Sequence, residues 1–132
     1  MGTVRELRLV VTVDNYDEAV AFYRDTLGLD ELADFSSENG RVVLLEAGRA
    51  TMEIVNADQA EYIDDVEVGR RVAGHIRVAL EVDDSTRTSQ RLERAGASVI
   101  AEPTRTPWNS LNARLDAPGG LQLTLFTEVG ES

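Results

Sequence analysis

Apolar side chains along the chain follow two rhythms, a helical spacing of three and four and a strand spacing of two, and the same order of rhythms occurs twice. In the first half Tyr16, Ala19, Val20, Tyr23 and Leu27 line one helix face. Asn15 is placed to cap that helix with Glu18 three residues on, Asp17 and Glu18 suit the positive end of its dipole, and Gly28 supplies the left-handed position that ends it. In the second half Ser85–Ala95 is the matching helix, with a thin inward stripe of Thr88, Leu92 and Ala95.

Strands are predicted after each helix. In the first half they are 30–36, 41–47 and 50–56, separated by turn signals at Glu38-Asn39-Gly40 and Gly48-Arg49. In the second half they are 98–102, 110–115 and 121–127, with a sharp turn at Asp116-Ala117-Pro118-Gly119-Gly120. A further β-rich run precedes each helix, Arg8–Asn15 and Arg77–Asp84, and these two align at an offset of 69 with identities at Arg8/Arg77, Val13/Val82 and Asp14/Asp83. The helix-ending glycines, Gly28 and Gly96, keep nearly the same offset, 68.

The reading is an α+β fold, one domain over 1–132 built from two βαβββ modules, 5–56 and 74–128, whose paired curved sheets enclose a cavity. The stretch 57–73 is read as an acidic linker. Its core, Asp58–Glu67, holds five acids in ten residues and is expected as a solvated connection or pocket lip.

Composition narrows the function. The chain has 24 acidic and 13 basic residues, a net charge of −11, which argues against nucleic acid or an anionic membrane as partner. It favours, if anything, a cationic ligand. No apolar run reaches the ~18 residues of a membrane span, and the N-terminus lacks the apolar core of an export signal, so a cytoplasmic location is the default. With no cysteine there is no disulfide, thiolate metal site or cysteine nucleophile. Nucleophile-elbow, phosphate-loop and CxxC motifs are missing as well.

The run VTVDNYDEAVAFYRDTLGL, with Phe22, Tyr23, Leu27 and Gly28 in place, resembles the opening motif of the glyoxalase / bleomycin-resistance / dioxygenase (vicinal oxygen chelate) superfamily. DAPGGLQLTLF is similar to its closing turn and last strand, so the resemblance runs from about Leu7 to Phe126. It implies paired βαβββ modules, commonly as a homodimer. It also implies a divalent ion held by His or Glu from the first and last strands of each module.

Carried over position by position, those four ligands are Arg8, Glu53, Arg77 and Thr124. Arginine has no lone pair to give a metal and two guanidiniums repel a cation, so only Glu53 survives as a ligand. His75, the one histidine, stands two residues before Arg77 and is the remaining nitrogen able to join Glu53 on a displaced ion.

Arg8, Glu53 and Arg77 are therefore expected to converge as an ion network, with an arginine offering its donors to a carboxylate, phenolate or carbonyl oxygen of a ligand. Trp108, beside Asn109 in TRTPWNS, is expected to stack on a flat ligand, with Phe35 and Tyr62 as further pocket walls. The first expectation is a metal-free, non-catalytic protein with no cofactor. It sequesters a small molecule, planar or cationic, such as an antibiotic or other natural product, in a homodimer cavity. The alternative is a metal-dependent lyase, isomerase or dioxygenase with an unusual ligand set. Metal-free catalysis with Glu53 as base ranks last, since neighbouring guanidiniums would lower its basicity.

Overall fold

The computed structural model describes Glu6, residues 8–50, Glu53 and residues 55–130. Within them the elements run α1, α-helical over Tyr16–Val20 and π-helical over Ala21–Thr26, then β1 (Glu31–Asp34), β2 (Val43–Leu45), α2 (Ala57–Glu67), β3 (Val78–Glu81), α3 (Ser85–Arg94), β4 (Ser98–Arg105), β5 (Ser110–Ala117) and β6 (Leu121–Glu128). The fold is mixed α+β.

The second half completes the expected βαβββ unit. Its four strands form one sheet in the order β3-β6-β5-β4, with β3 parallel to β6 and the other pairs antiparallel. Strict alternation sorts the side chains of its central strands. Ala113, Leu115 and Ala117 of β5 stand opposite Leu125, Leu123 and Leu121 of β6, all on one face. That face packs on α3 through Leu92, and Leu92, Leu115, Leu123 and Leu125 have no solvent exposure. Each such leucine contributes roughly 1.5–3 kcal/mol over leaving it in water.

The stripe of α3 is thin in apolar atoms, as its sequence indicated, and small polar residues fill it: Ser85, Thr88 and Ser89 are buried beside Leu92. Asp84 caps the helix by accepting from the Arg87 amide at 3.0 Å. The turn from β5 to β6 needs left-handed backbone at both Gly119 (φ 86°) and Gly120 (φ 71°).

The first helix begins as the sequence indicated. Asn15 Oδ1 accepts from the Glu18 amide, its Nδ2 donates to the Glu18 carboxylate, both at 3.1 Å, and Gly28 takes φ 90°. Phe22 is 2% exposed and joins the core of the second half, while the Tyr23 hydroxyl donates to the Pro118 carbonyl at 2.7 Å. Burial pushes the Tyr23 phenol up to about 12.

Three expectations need correction. Residues 8–13 form no strand: a β-rich run acquires its ladder only from a paired neighbour, and these residues meet the β5–β6 turn instead. Val13 and Val11 press on Gly119 so closely that a Cβ there would lie 2.9 and 3.0 Å from their methyl groups. The first-half strands are shorter than predicted, β1 and β2 forming a two-stranded sheet with a register irregularity between Glu31 and Ala33. Residues 51, 52 and 54 of the third expected strand lie outside the described set, and its described residues are not strand.

The stretch expected as a solvated connection is the helix α2. Asn56 caps it, accepting from the Gln59 amide at 2.9 Å, and Ile63, Asp64 and Glu67 are buried. Acids three residues apart share a helix face, so their number says nothing about exposure once that face meets a base.

Candidate functional site

The second face of the four-stranded sheet is polar at its centre. Ser110, Asn112 and Arg114 of β5 alternate with its leucines and alanines, and opposite them stand Glu128, Phe126 and Thr124 of β6. Arg114 is completely buried in mid-sheet and lies directly opposite Thr124. A buried guanidinium is tolerable only with anions and hydrogen bonds around it, and α2 supplies them.

Arg114 Nη1 donates to Asp64 at 2.8 Å and Nη2 to Glu67 at 2.9 Å, with Gln122 Oε1 a further acceptor at 2.8 Å. Asn112 Nδ2 donates to the other Glu67 oxygen at 2.8 Å. Asp64 also accepts from the Val72 and Ala73 amides and from Arg71 Nη1, all within 2.9 Å. Desolvation opposes the charge on Asp64 most strongly. The Ala73 and Val72 amides with the Arg114 and Arg71 guanidiniums outweigh it, and hold the carboxyl well below the usual carboxylate range. Two buried groups, Asn112 Oδ1 and Arg114 Nε, have no hydrogen-bond partner among the described residues.

Helix α2 lies over β4 and β5, and the β3 flank of the face stays open. There Ala79 and Glu81 are exposed and Arg77 and Phe126 are part-buried. Arg77 Nη1 donates to Thr124 Oγ1 at 2.6 Å. Desolvation, then the positive charge of Arg114, pull the Arg77 pKa below its ordinary value, and Glu67, Glu53 and Asp64 offset this in part. Arginine stays charged regardless.

At the far edge, on the turn between β4 and β5, Trp108 is 41% exposed and its ring centroid lies 6.1 Å from that of Tyr62 on α2, with the planes tilted by 56°. Asn109 holds the turn in left-handed backbone at φ 63°, its amide bonded to Thr106 O and its carbonyl to the Val129 amide. Trp108 and Arg77 sit at opposite edges of the sheet. They also differ along the strands: Arg77 precedes Val78, which is level with Leu123 and Leu115, whereas Trp108 lies beyond Ser110 at the other end of β5.

Of the residues singled out in the sequence, the structure thus joins Arg77 with Thr124 and Tyr62 with Trp108, which Asn109 follows in the turn. It does not gather Arg8, Glu53 and Arg77. Arg8 is exposed and pairs with Glu6 at 3.2 Å. Glu53 is exposed and makes no ion pair among the described residues, although its charge still bears on Arg77. Neither residue is itself part of a strand. Phe35 is 63% exposed just after β1, in the other sheet, and His75 is exposed ahead of β3.

The donor set does not fit a divalent ion. Arg77, held on Thr124, and Arg114 place two cations at the face, and among the described residues no three His, Cys, Asp or Glu side chains assemble as a metal site. Sequence reasoning missed Arg114, Asp64 and Glu67. A signal existed: SLNARLDA alternates strictly, which puts an arginine on one face of a strand too long and apolar to be an edge, and acids spaced by three precede it.

The sequence profile of the Glyoxalase/Bleomycin resistance protein/Dioxygenase superfamily matches residues 7–125. Among solved structures, TnmS3, an antibiotic binding protein from Streptomyces sp. CB03234, is 25% identical, with 97% of this chain and 99% of that one covered and a TM-score of 0.62. A superfamily member from Sphaerobacter thermophilus is 23% identical, with 89% and 92% covered and a TM-score of 0.59. The hypothetical protein SA1046 of S. aureus is 14% identical, with 96% and 95% covered and a TM-score of 0.58. No curated protein matches the chain. Among the described residues no helix is long and apolar enough to cross a membrane.

Proposed function

Since the chain belongs to the glyoxalase / bleomycin resistance protein / dioxygenase superfamily, we propose that it is a metal-free, non-catalytic binding protein that sequesters an extended planar small molecule, an antibiotic or similar natural product, on the polar face of its second sheet. The observation that carries the reading is the exposed Tyr62–Trp108 pair at one edge of a face whose other edge offers the part-buried Arg77 guanidinium. Aromatic rings stack on a flat ligand with little loss of side-chain freedom, and guanidinium N–H groups bind its oxygens. The similarity to TnmS3 over nearly both whole chains agrees with this.

The binding unit under this proposal is a homodimer. Within residues 8–50 only Ala19 and Phe22 are buried, and Val10 (86% exposed), Leu32 (59%) and Phe35 (63%) face water. Apolar surface of that extent is what a second copy would cover.

Titration of the protein with a panel of polycyclic natural products, read by Trp108 fluorescence, tests the reading. Saturable quenching at about one ligand per subunit is expected, with a dimer by light scattering. No response across the panel, or a stoichiometric transition metal in the purified protein, would overturn it.

A further inference from the structure

Charge does not balance at the polar face. Asp64 and Glu67 face the guanidiniums of Arg114 and Arg71 across ion pairs of 2.8–2.9 Å, which closes the account of that group: two acids, two bases. Arg77 is a third base within electrostatic range of Arg114, Glu67 and Asp64, and of the exposed Glu53, and it makes no ion pair among the described residues. Its one side-chain hydrogen bond is to a neutral hydroxyl, that of Thr124, which is itself buried. The chain has 24 acids for 13 bases, so an arginine part-buried without a carboxylate is against the odds of its composition. Glu53, whose charge also bears on Arg77, is exposed, and Glu81 on β3 is exposed as well.

We infer that the open β3 flank is selective for an organic monoanion, a carboxylate or acidic phenolate on an aromatic ring, with its charged oxygens on the unused N–H groups of Arg77 and its ring over Phe126. The inference rests on the binding reading above and adds the charge of the ligand, opposite in sign to the cation that the net charge suggests.

Geometry supports it. Phe126 stands on the same face as Thr124, two residues along β6, and is part-buried, so an aromatic ring follows next along the strand from the hydroxyl that Arg77 reaches. Arg114 cannot serve as the counter-charge, because it is positive and already engaged twice. It adds to the potential at Arg77 instead, from which a cationic ligand would be turned away. Glu67, Glu53 and Asp64 offset this in part, but none of them is in ion-pair contact with Arg77, whereas a bound anion would be. Charge-assisted bonds to a guanidinium are roughly twice as strong as neutral ones, which makes the acid the preferred form over its amide.

Calorimetry on the full chain with 2-naphthoate, 2-naphthamide and 2-naphthylmethylammonium decides the matter. The expected order is naphthoate tightest, naphthamide at least about 10-fold weaker and the ammonium weakest, with the naphthoate affinity falling as salt is raised. Glu53→Gln is expected to strengthen naphthoate binding, and Arg77→Gln to bring acid and amide level. Arg87→Gln, on the helix behind the opposite face, should change nothing. Equal binding of acid and amide by the unaltered protein overturns the inference while leaving the binding function intact, as does preference for the ammonium. Failure of all three to bind overturns it too, and a natural product that still quenches Trp108 would show that the binding function stands without it. Because the ranking is read on the unaltered chain, it holds whether or not Arg77→Gln folds.

Discussion

Arg114 and Asp64, fifty residues apart in sequence, meet at 2.8 Å with neither side chain more than 1% exposed. This contact, with its neighbour from Glu67, fastens α2 to the middle of the second sheet and decides how much of the polar face is left for a ligand.

Removing one member of such a pair strands the others without water or counter-charge. Arg114→Ala is expected to lower stability by about 3–5 kcal/mol, since breaking a buried pair costs far more than the pair contributes over an apolar replacement. Urea unfolding followed by circular dichroism measures it. A loss under 1 kcal/mol would mean that α2 does not rest on the sheet.

The same contact makes a prediction for acid. The folded pKa of Asp64 lies below its unfolded value, so its stabilising contribution is present above the unfolded pKa of about 3.9 and is lost as pH falls below it. Helix α2 should therefore release from the sheet in mildly denaturing acid, seen as faster amide exchange at Val72 and Ala73, whose N–H groups Asp64 accepts. In Asp64→Asn the acid-dependent part of this loss should vanish, at the cost of lower stability at neutral pH. An unchanged pH profile would contradict the assignment.

Trp108→Ala should separate binding from folding. The side chain is 41% exposed, so stability should change by less than about 1 kcal/mol, while affinity for a planar ligand should fall roughly 10-fold, the equivalent of ~1.4 kcal/mol of stacking. Equal affinity in wild type and variant would remove Trp108 from the site.

Gly119→Ala tests how the N-terminal segment is held. A Cβ would meet Val13 and Val11 at 2.9 and 3.0 Å in a backbone of φ 86°. Left-handed strain and overpacking together predict a loss on the order of 2 kcal/mol or more in thermal unfolding. Gly120→Ala at φ 71°, with open space beside it, should lose only the strain part.

Local rules carried far in the second half. The alternation in SLNARLDA and LQLTLF, the cap at Asp84 and the glycine turn each specify their own conformation from residues a few positions apart, and all appear in the structure. The caps of α1 were equally legible, for the same reason. The β-rich run at 8–13 was not, because the same side chains suit a strand or a packed coil until a neighbouring strand offers its hydrogen bonds.

The sequence by itself determined the helices and strands of 78–128, the likeness to a known superfamily, and the presence of Arg77 and Thr124 where metal ligands are expected. Only the tertiary structure decided that Asp58–Glu67 folds into a helix against Arg114, that Glu53 stays outside, and that Tyr62 reaches Trp108. The reason is physical: a carboxylate is equally at home in water or on a buried guanidinium, and its own neighbours in the chain do not tell which it will meet.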